Sequence, residues 1–572
     1  MEDMRKQVLI GTDSFEKIRE GNFFYVDKSL FIKELLDNRG DATLITRPRR
    51  FGKTLNMNML KCFFDVRSSG THLFNDLLIM EYKETTKEHM SKYPVIFITL
   101  KDIEQTTFDK SMVKLNSLVS SLYKQYRYIH EHDEFDDVDK ERFMQYRNGK
   151  VVDEVLQFAL SFLMECLYIY YGKRVIVLID EYDTPIDSAE RNGYYSEMIG
   201  FMRGFLRSVF KTNDNLEFGV LTGVQRISKE GLFSSFNNPK VCGVLDRAFA
   251  TSFGFTEEEV RAACDMFGEG KNYNRIKHWY DGYRMGGYDI FNPWSITMYL
   301  DTLELGNYWV NTGSVQMLRD MFKQGDDRLK NDIAGLLTGT PVNMSLTDQI
   351  TYPIDYSSSD VFWTLLFNAG YLKPCNGAVG DIFKAELVNM EVKDTLSKYA
   401  KSWLREQPPS VTDTIQEFVD CLLRGDAEGV KRMLNDELLN NPSYFDFKEE
   451  NSYHMFIYGI LLSLSNDYTV MSNRESGKGR SDCVIKPNDK THNAVVVEFK
   501  HVKDLNVGSD TELLDGTDSD SYMLAMEARK GLEQIEDKSY LHGLLHEGYT
   551  NILRFGIAFH KKTCEVAMAR TV

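Results

Sequence analysis

From the N-terminus to about residue 250, short apolar runs alternate with longer stretches of helical period, the pattern of βαβ units on a parallel sheet. Strands are predicted at Thr43–Thr46, Val95–Leu100, Arg174–Ile179 and Phe218–Thr222. The third, RVIVLI, is apolar without alternation after its first residue, which predicts a strand covered on both faces and therefore central. From Gly254 to Gln407 strand signals fade and helical periods dominate. The aromatic clusters WYDGY (Trp279–Tyr283), FNPWS (Phe291–Ser295) and YWVNTG (Tyr308–Gly313) read there as packing in a helical middle domain, with a winged-helix form as one option. The pair Pro408-Pro409 stops a helix and marks a break. Beyond it, helices are expected at Val411–Leu423, Ala427–Leu439, Ser452–Ser465 and Glu527–Asp537, and strands at Cys483–Lys486, Ala494–Lys500 and Arg554–His560. The expected class is α/β, with domains at 1–253, 254–407 and 408–572.

Length supports that division, since 572 residues exceed what one core organises, about 250–300. With 42% hydrophobic and 27% charged residues and only 12 prolines, long disordered stretches are not expected. A net charge of −17 argues against indiscriminate coating of nucleic acid, so any such contact must rest on local patches. The eight cysteines are scattered singly, which reads as reduced thiols in a cytoplasmic protein. The start MEDMRKQVLIGTDSF lacks the apolar region of a signal peptide. Val155–Tyr171, the most hydrophobic helical stretch, is interrupted by Gln157 and Glu165 and reads as a buried helix, so the expectation is a protein neither exported nor membrane-spanning.

Chemistry concentrates in two places. Between the strand TLIT and a helix starting near Lys53 lies RPRRFGKT, which matches the last three positions of GxxxxGK[ST]. In such a P-loop the backbone amides of Arg49, Arg50, Phe51 and Gly52 cradle phosphates, Lys53 reaches the β and γ phosphates, and the Thr54 hydroxyl holds Mg²⁺. Arg47 stands where the pattern has its first glycine and Pro48 follows, so the turn must be made differently. Arg49 and Arg50 add charge near the phosphates or face solvent. An apolar strand ending in Asp180-Glu181 supplies the second half: Asp180 for the Mg²⁺ shell and Glu181 near the attacking water. Thr222 ends the next strand and is placed to sense the γ-phosphate, and Arg226 to neutralise transition-state charge; a capping or surface role is the competing expectation for each. ATP is the expected ligand.

The second place is GKGRSDCVI followed by AVVVEFKHVK. It sets Asp482 at the start of one strand and Glu498 with Lys500 at the end of the next, where alternation points both to one face. Two carboxylates and a lysine at adjacent strand ends suit metal-dependent phosphodiester cleavage, with Asp482 and Glu498 holding Mg²⁺ or Mn²⁺ and Lys500 orienting the water. Glu450 is a candidate further ligand, and Gln534, Lys538 and Tyr540 are candidate pocket residues. Arg474, Lys478, Arg480, Lys486, Lys500, His501 and Lys503 gather around these strands, enough for a phosphate backbone nearby but not for sequence readout.

Taken together, FFYVDKS, TRPRRFGKT, VLIDEYDTPI, LTGVQRIS, WYDGY, NPWS, YWVNT, GRSD, VVEFK and LEQIEDKSY resemble a bacterial family with an N-terminal AAA-ATPase-like domain and a C-terminal PD-(D/E)XK nuclease domain. The resemblance implies a P-loop NTPase sheet, a helical middle and a restriction-endonuclease-like last domain. It also implies a nucleotide site at Thr46–Thr54 and Asp180 and a nuclease core at Asp482, Glu498 and Lys500. The missing first P-loop glycine is a habit of that family. The proline usual in the first half of the nuclease signature is absent, the sequence reading Arg480-Ser481-Asp482. The expected activity is an ATPase coupled to a nuclease acting on DNA or RNA. The alternative is a nucleotide-switch signalling ATPase whose last domain binds nucleic acid or a protein without cutting. No membrane partner is expected, and a homo-oligomer is left open.

Overall fold

Five segments form the first sheet, and the inner strands among them are apolar enough to be buried on both faces. The five are β1 (Ala42–Thr46), β2 (Val95–Thr99), β3 (Val175–Asp180), β4 (Leu216–Gly223) and β5 (Lys240–Cys242), all parallel, in the order β2-β3-β4-β1-β5. The computed structural model describes residues 6–68, 70–227, 239–309, 332–333, 336–337, 341–347, 350, 354, 358–375, 382–405, 409–438, 468–476, 479–502, 519–537, 540–560 and 563–571. Every residue of β3 is buried, as its unbroken apolar run demands, although β4 and not β3 takes the middle position. The sequence pattern missed β5, because only Cys242 of its three residues is buried and no period is visible in so short a strand.

Helices cover both faces of the sheet. On one, Leu30–Asn38 and Lys53–Phe64 bury Phe31, Leu35, Met57, Leu60 and Phe63 against Ile45, Ile176 and Val220. Tyr195–Phe210 packs on β4 and Ala159–Tyr171 on β3. The stretch 155–171 breaks at Gln157 into Asp153–Leu156 and Ala159–Tyr171, and Glu165 lies within the second helix. Among the described residues no helix is long and apolar enough to cross a membrane.

The stretch after Gly254 is less purely helical than its pattern suggests. Tyr288–Phe291 pairs antiparallel with both Phe255–Thr256 and Tyr283–Met285, and Leu372–Pro374 with Ile382–Leu387. Contacts divide the chain into two compact units, Met1–Ser314 with Met344–Val392, and Val315–Asn343 with Lys393–Val572. Residues 254–314 and 344–392 therefore share a unit with the five-stranded sheet.

The second unit is organised by β6 (Tyr468–Ser476), β7 (Gly479–Pro487), β8 (Ala494–His501), β9 (Ile552–His560) and β10 (Thr563–Thr571), ordered as numbered. Only the β8–β9 pair is parallel. β6 and β10 are the edge strands; their mixed sequences YTVMSNRES and TCEVAMART hid them from a search for apolar runs. The helix Ser519–Asp537 lies against β8, β9 and β10. Its approach depends on Gly556 in β9, where a Cβ would stand 2.0 Å from the Ala528 carbonyl oxygen of that helix. Pro409–Arg424 and Ala427–Arg432 are helical, with a π-helical turn at Met433–Leu438; the helix expected at Ser452–Ser465 lies outside the described residues.

Candidate functional site

The strand order decides what meets at the top of the first sheet. β1 is inserted beside β4, so the carboxyl ends of β1, β4 and β3 lie side by side, where open α/β sheets hold their ligands. Gly52 caps the following helix with φ of +79°. A Cβ there would meet nothing within 4 Å, so the requirement for glycine is conformational, not spatial. Lys53 is buried, and its ammonium donates to the Arg47 and Pro48 carbonyls, each at 3.0 Å. Two of its three donors are thereby accounted for. Burial lowers its pKa, opposed by the carboxylates of Glu181, Asp180 and Asp183.

Asp180 is fully buried among hydroxyls. Thr54 donates to its Oδ2 at 2.7 Å, Thr222 to its Oδ1 at 2.6 Å, and Thr99 to Oδ2 at 3.3 Å. Thr54 and Asp180 thus present adjacent hard oxygens, the donor chemistry Mg²⁺ takes while keeping waters for its remaining positions. Thr222 acts on this carboxylate. Glu181 has φ of +54°, and burial raises its pKa, with Lys53 opposing. Beside it Asp183, also buried, accepts the Val224 and Gln225 amides at 2.7 and 2.8 Å, and the Tyr182 hydroxyl donates to the Gln225 carbonyl. The strand that ends in the acidic pair is in this way fastened to the segment leaving β4.

Lys53, Thr54, Glu181 and Asp183 open on a cavity of about 580 Å³, while Asp180 and Thr222 lie behind Thr54 and are not part of its lining. Arg49, Arg50, Phe51, Gly52, Lys53 and Thr54 line it, with Glu181 and Asp183. Arg226 is not part of the lining; its backbone carbonyl accepts the Ile350 amide, at 2.9 Å. Arg47 has a different place from its neighbours. It is fully buried, its guanidinium donating to the carbonyls of Thr46, Cys242, Gly243, Ala248 and Phe249, and burial lowers its pKa to about 10. The residue in the first glycine's position therefore ties the loop to the end of β5 and is not part of the cavity lining. The rest of the lining is mixed, with the apolar Val8, Ile10, Phe24, Val26, Phe255 and Trp294 beside the charged Asp13, Lys28, Lys101 and Glu104. Sequence reasoning passed over Trp294, having assigned the NPWS motif to packing; an aromatic motif beside an Asn N-cap was the available signal.

In the second unit Glu498 is buried near the end of β8 and Lys500 is half-buried two residues on. Gln534, from the helix Ser519–Asp537, donates to Glu498 and accepts from Lys500, whose ammonium stands 3.6 Å from the same carboxylate. The three predicted side chains Glu498, Lys500 and Gln534 are in one hydrogen-bonded group. Asp482 lies in β7, one residue before Cys483, which pairs with Val497; its backbone is thus next to Glu498 in the ladder. Glu450, Lys478, Lys503 and Lys538 lie outside the described residues, and Tyr540 opens the helix Tyr540–His546. Lys486 is buried and paired with Glu547, which removes it from the basic patch. Among the described residues no group of three metal-ligating side chains is assembled.

Residues 9–233 match the family described as "Predicted AAA-ATPase", and residues 448–568 the "PD-(D/E)XK nuclease superfamily". The chain thus combines an AAA-ATPase-like region with a C-terminal region of the PD-(D/E)XK nuclease superfamily. The AAA-ATPase-like match spans β1 to β4 and the loop at Arg47–Thr54; the nuclease-superfamily match contains β6 to β9 and the first part of β10. A curated relative, "Uncharacterized protein in vnfD 5'region" from Azotobacter chroococcum mcd 1, is 26% identical over 526 residues, covering 87% of this chain and 90% of that protein. The similarity therefore runs through both domains in one polypeptide.

Proposed function

We propose that the protein binds and hydrolyses ATP in its first unit and cleaves nucleic acid in its second, the nucleotide controlling the cleavage. The observation that carries the first half is Lys53 and Thr54 lining the 580 Å³ cavity, with Thr54 hydrogen-bonded to the buried Asp180–Thr222 pair behind it. Phosphates would sit on the amides of Arg49–Lys53 at the start of the Lys53–Phe64 helix, where the partial positive charge of the helix end adds to the lysine's. Mg²⁺ held by Thr54 and Asp180 would supply charge neutralisation at the phosphate oxygens. Glu181 would orient the attacking water, burial having raised the pKa of its carboxyl. The test is the thermal midpoint with ATP and Mg²⁺, together with phosphate release. Wild type is expected to be stabilised and to turn over; Lys53→Ala is expected to do neither.

The second half rests on the Glu498–Gln534–Lys500 group, with Asp482 neighbouring on the next strand. Glu498 and Asp482 are the proposed holders of Mg²⁺ or Mn²⁺, and Lys500 the group that orients water and offsets charge on the phosphodiester. Gln534 keeps the lysine and the glutamate in register. Cleavage of DNA or RNA in Mg²⁺ or Mn²⁺, abolished in Lys500→Ala, is the expected result. A second reading, a nucleotide switch whose last domain binds without cutting, draws support from Ser481 standing where the nuclease signature has its proline. ATP binding without cleavage by wild type would favour it. A cytoplasmic site of action agrees with both readings.

A further inference from the structure

Glu391 is fully buried at the start of the helix Met390–Arg405. Its Oε1 accepts the Trp309 amide and its Oε2 the Ser295 hydroxyl, both at 2.7 Å, and the Tyr308 amide adds to them. These donors are neutral, and burial pushes its carboxyl up to about 7. A buried acid of this kind costs stability, so what it organises is of interest.

Two of the residues it holds, Trp309 and Ser295, lead to the P-loop. The Trp309 indole Nε1 donates to the Arg49 carbonyl at 3.1 Å. Ser295 lies in the first turn of the helix Pro293–Thr302, next to Trp294, whose ring carries the Arg50 guanidinium 4.5 Å from its centroid. Arg50 has φ of +69°, a conformation that persists in a non-glycine residue only when its surroundings impose it. The two flanking loop residues are gripped as well: Phe51 packs edge-on to Tyr283 at 4.8 Å, and Gly370 lies against Pro48. Each of residues 48–51, the variable positions of the loop, is thus held by a residue from the stretch 283–370.

We infer that Glu391 is a positioning residue for the nucleotide site: by fixing Trp309 and the first turn of the Pro293–Thr302 helix, it holds the Arg49–Arg50 turn in the shape that presents the loop amides to phosphates. This rests on the proposal that the loop binds ATP. It makes the NPWS and YWVNT motifs parts of the nucleotide site and not packing alone.

The test is calorimetric titration with ATP and Mg²⁺ of full-length wild type, Glu391→Gln, Trp309→Phe and the double variant. Val119→Ala, a core change in the helix Phe108–Gln125 remote from the cavity, serves as a control for lost stability. Each single variant is expected to weaken ATP about fivefold to tenfold, the scale of one hydrogen bond. The double variant is expected to lose much less than the product of the two, because the acid acts through the indole. Val119→Ala is expected to bind as wild type does. Wild-type affinity in Glu391→Gln, or in Trp309→Phe should the first not fold, overturns the inference, and so do effects that simply multiply. A wild type that binds no ATP overturns instead the nucleotide proposal beneath it.

Discussion

The two sites are built by opposite means. In the first unit the candidate groups are gathered from strand ends far apart in the chain: Thr54 bonds Asp180 across 126 residues, and Asp180 bonds Thr222 across 42. Neutral hydroxyls and backbone groups hold the charges there, and a buried arginine, Arg47, serves as structural glue. In the second unit one strand supplies two of the three groups and a single helix the third, with Gln534 36 residues from Glu498. A site assembled by topology depends on many remote residues. A site carried on one strand depends on that strand's neighbours.

The largest expected effects are those that separate the sites. Lys53→Ala is expected to abolish measurable ATP binding while leaving metal-dependent cleavage without ATP intact. Lys500→Ala is expected to lower cleavage by roughly a hundredfold or more, the usual loss for a group that stabilises developing charge, with ATP affinity unchanged. Gel-based cleavage and calorimetry on both variants check this, and loss of both activities in either one would dissolve the contrast.

Next in size is Gly556→Ala. The new methyl would meet the Ala528 carbonyl at 2.0 Å, a backbone atom that cannot swing aside, so the Ser519–Asp537 helix must lift from the sheet and carry Gln534 with it. Overpacking of this kind costs about 1–3 kcal/mol or more. Urea unfolding is expected to show the loss in the second unit's transition, with cleavage weakened; an unchanged midpoint would show that the helix is not seated by Gly556.

What the sequence revealed follows the same contrast. Glu498 and Lys500 were legible because alternation along an apolar strand puts them on one face, and Gln534 because it follows in a helix close by. Lys53, Thr54 and Asp180 were legible because local motifs carry them. Arg47 was not: that it turns inward to five carbonyls depends on β5, a strand of three residues with no readable period. Trp294, Trp309 and Glu391 escaped for a related reason, since an aromatic in a helical stretch looks the same whether it fills a core or grips a loop.

The pH response of the first unit offers a smaller test. The Glu391 carboxyl rises from an ordinary 4.5 to about 7, so the folded state holds its proton more tightly than the unfolded one. Its contribution is therefore most favourable below about pH 4.5 and is lost as pH rises through 7, a difference of about 3 kcal/mol at most. Between pH 5 and 7.5 wild type is expected to lose stability faster than Glu391→Gln; parallel curves would show that the acid titrates normally. Smallest of all is Arg226→Ala. The side chain lies outside the cavity lining, so ATP turnover is expected to change by about twofold or less, as for surface substitutions. A loss of tenfold or more would bring this arginine into the nucleotide site.

The central claim, two separable phosphate chemistries in one chain, is tested most directly by one cleavage assay. DNA and RNA are incubated in Mg²⁺ or Mn²⁺, with and without ATP, with wild type, Lys53→Ala and Lys500→Ala. The account predicts cleavage by wild type that ATP alters, cleavage by Lys53→Ala that ATP does not alter, and none by Lys500→Ala. Cleavage by Lys500→Ala at the wild-type rate would contradict it.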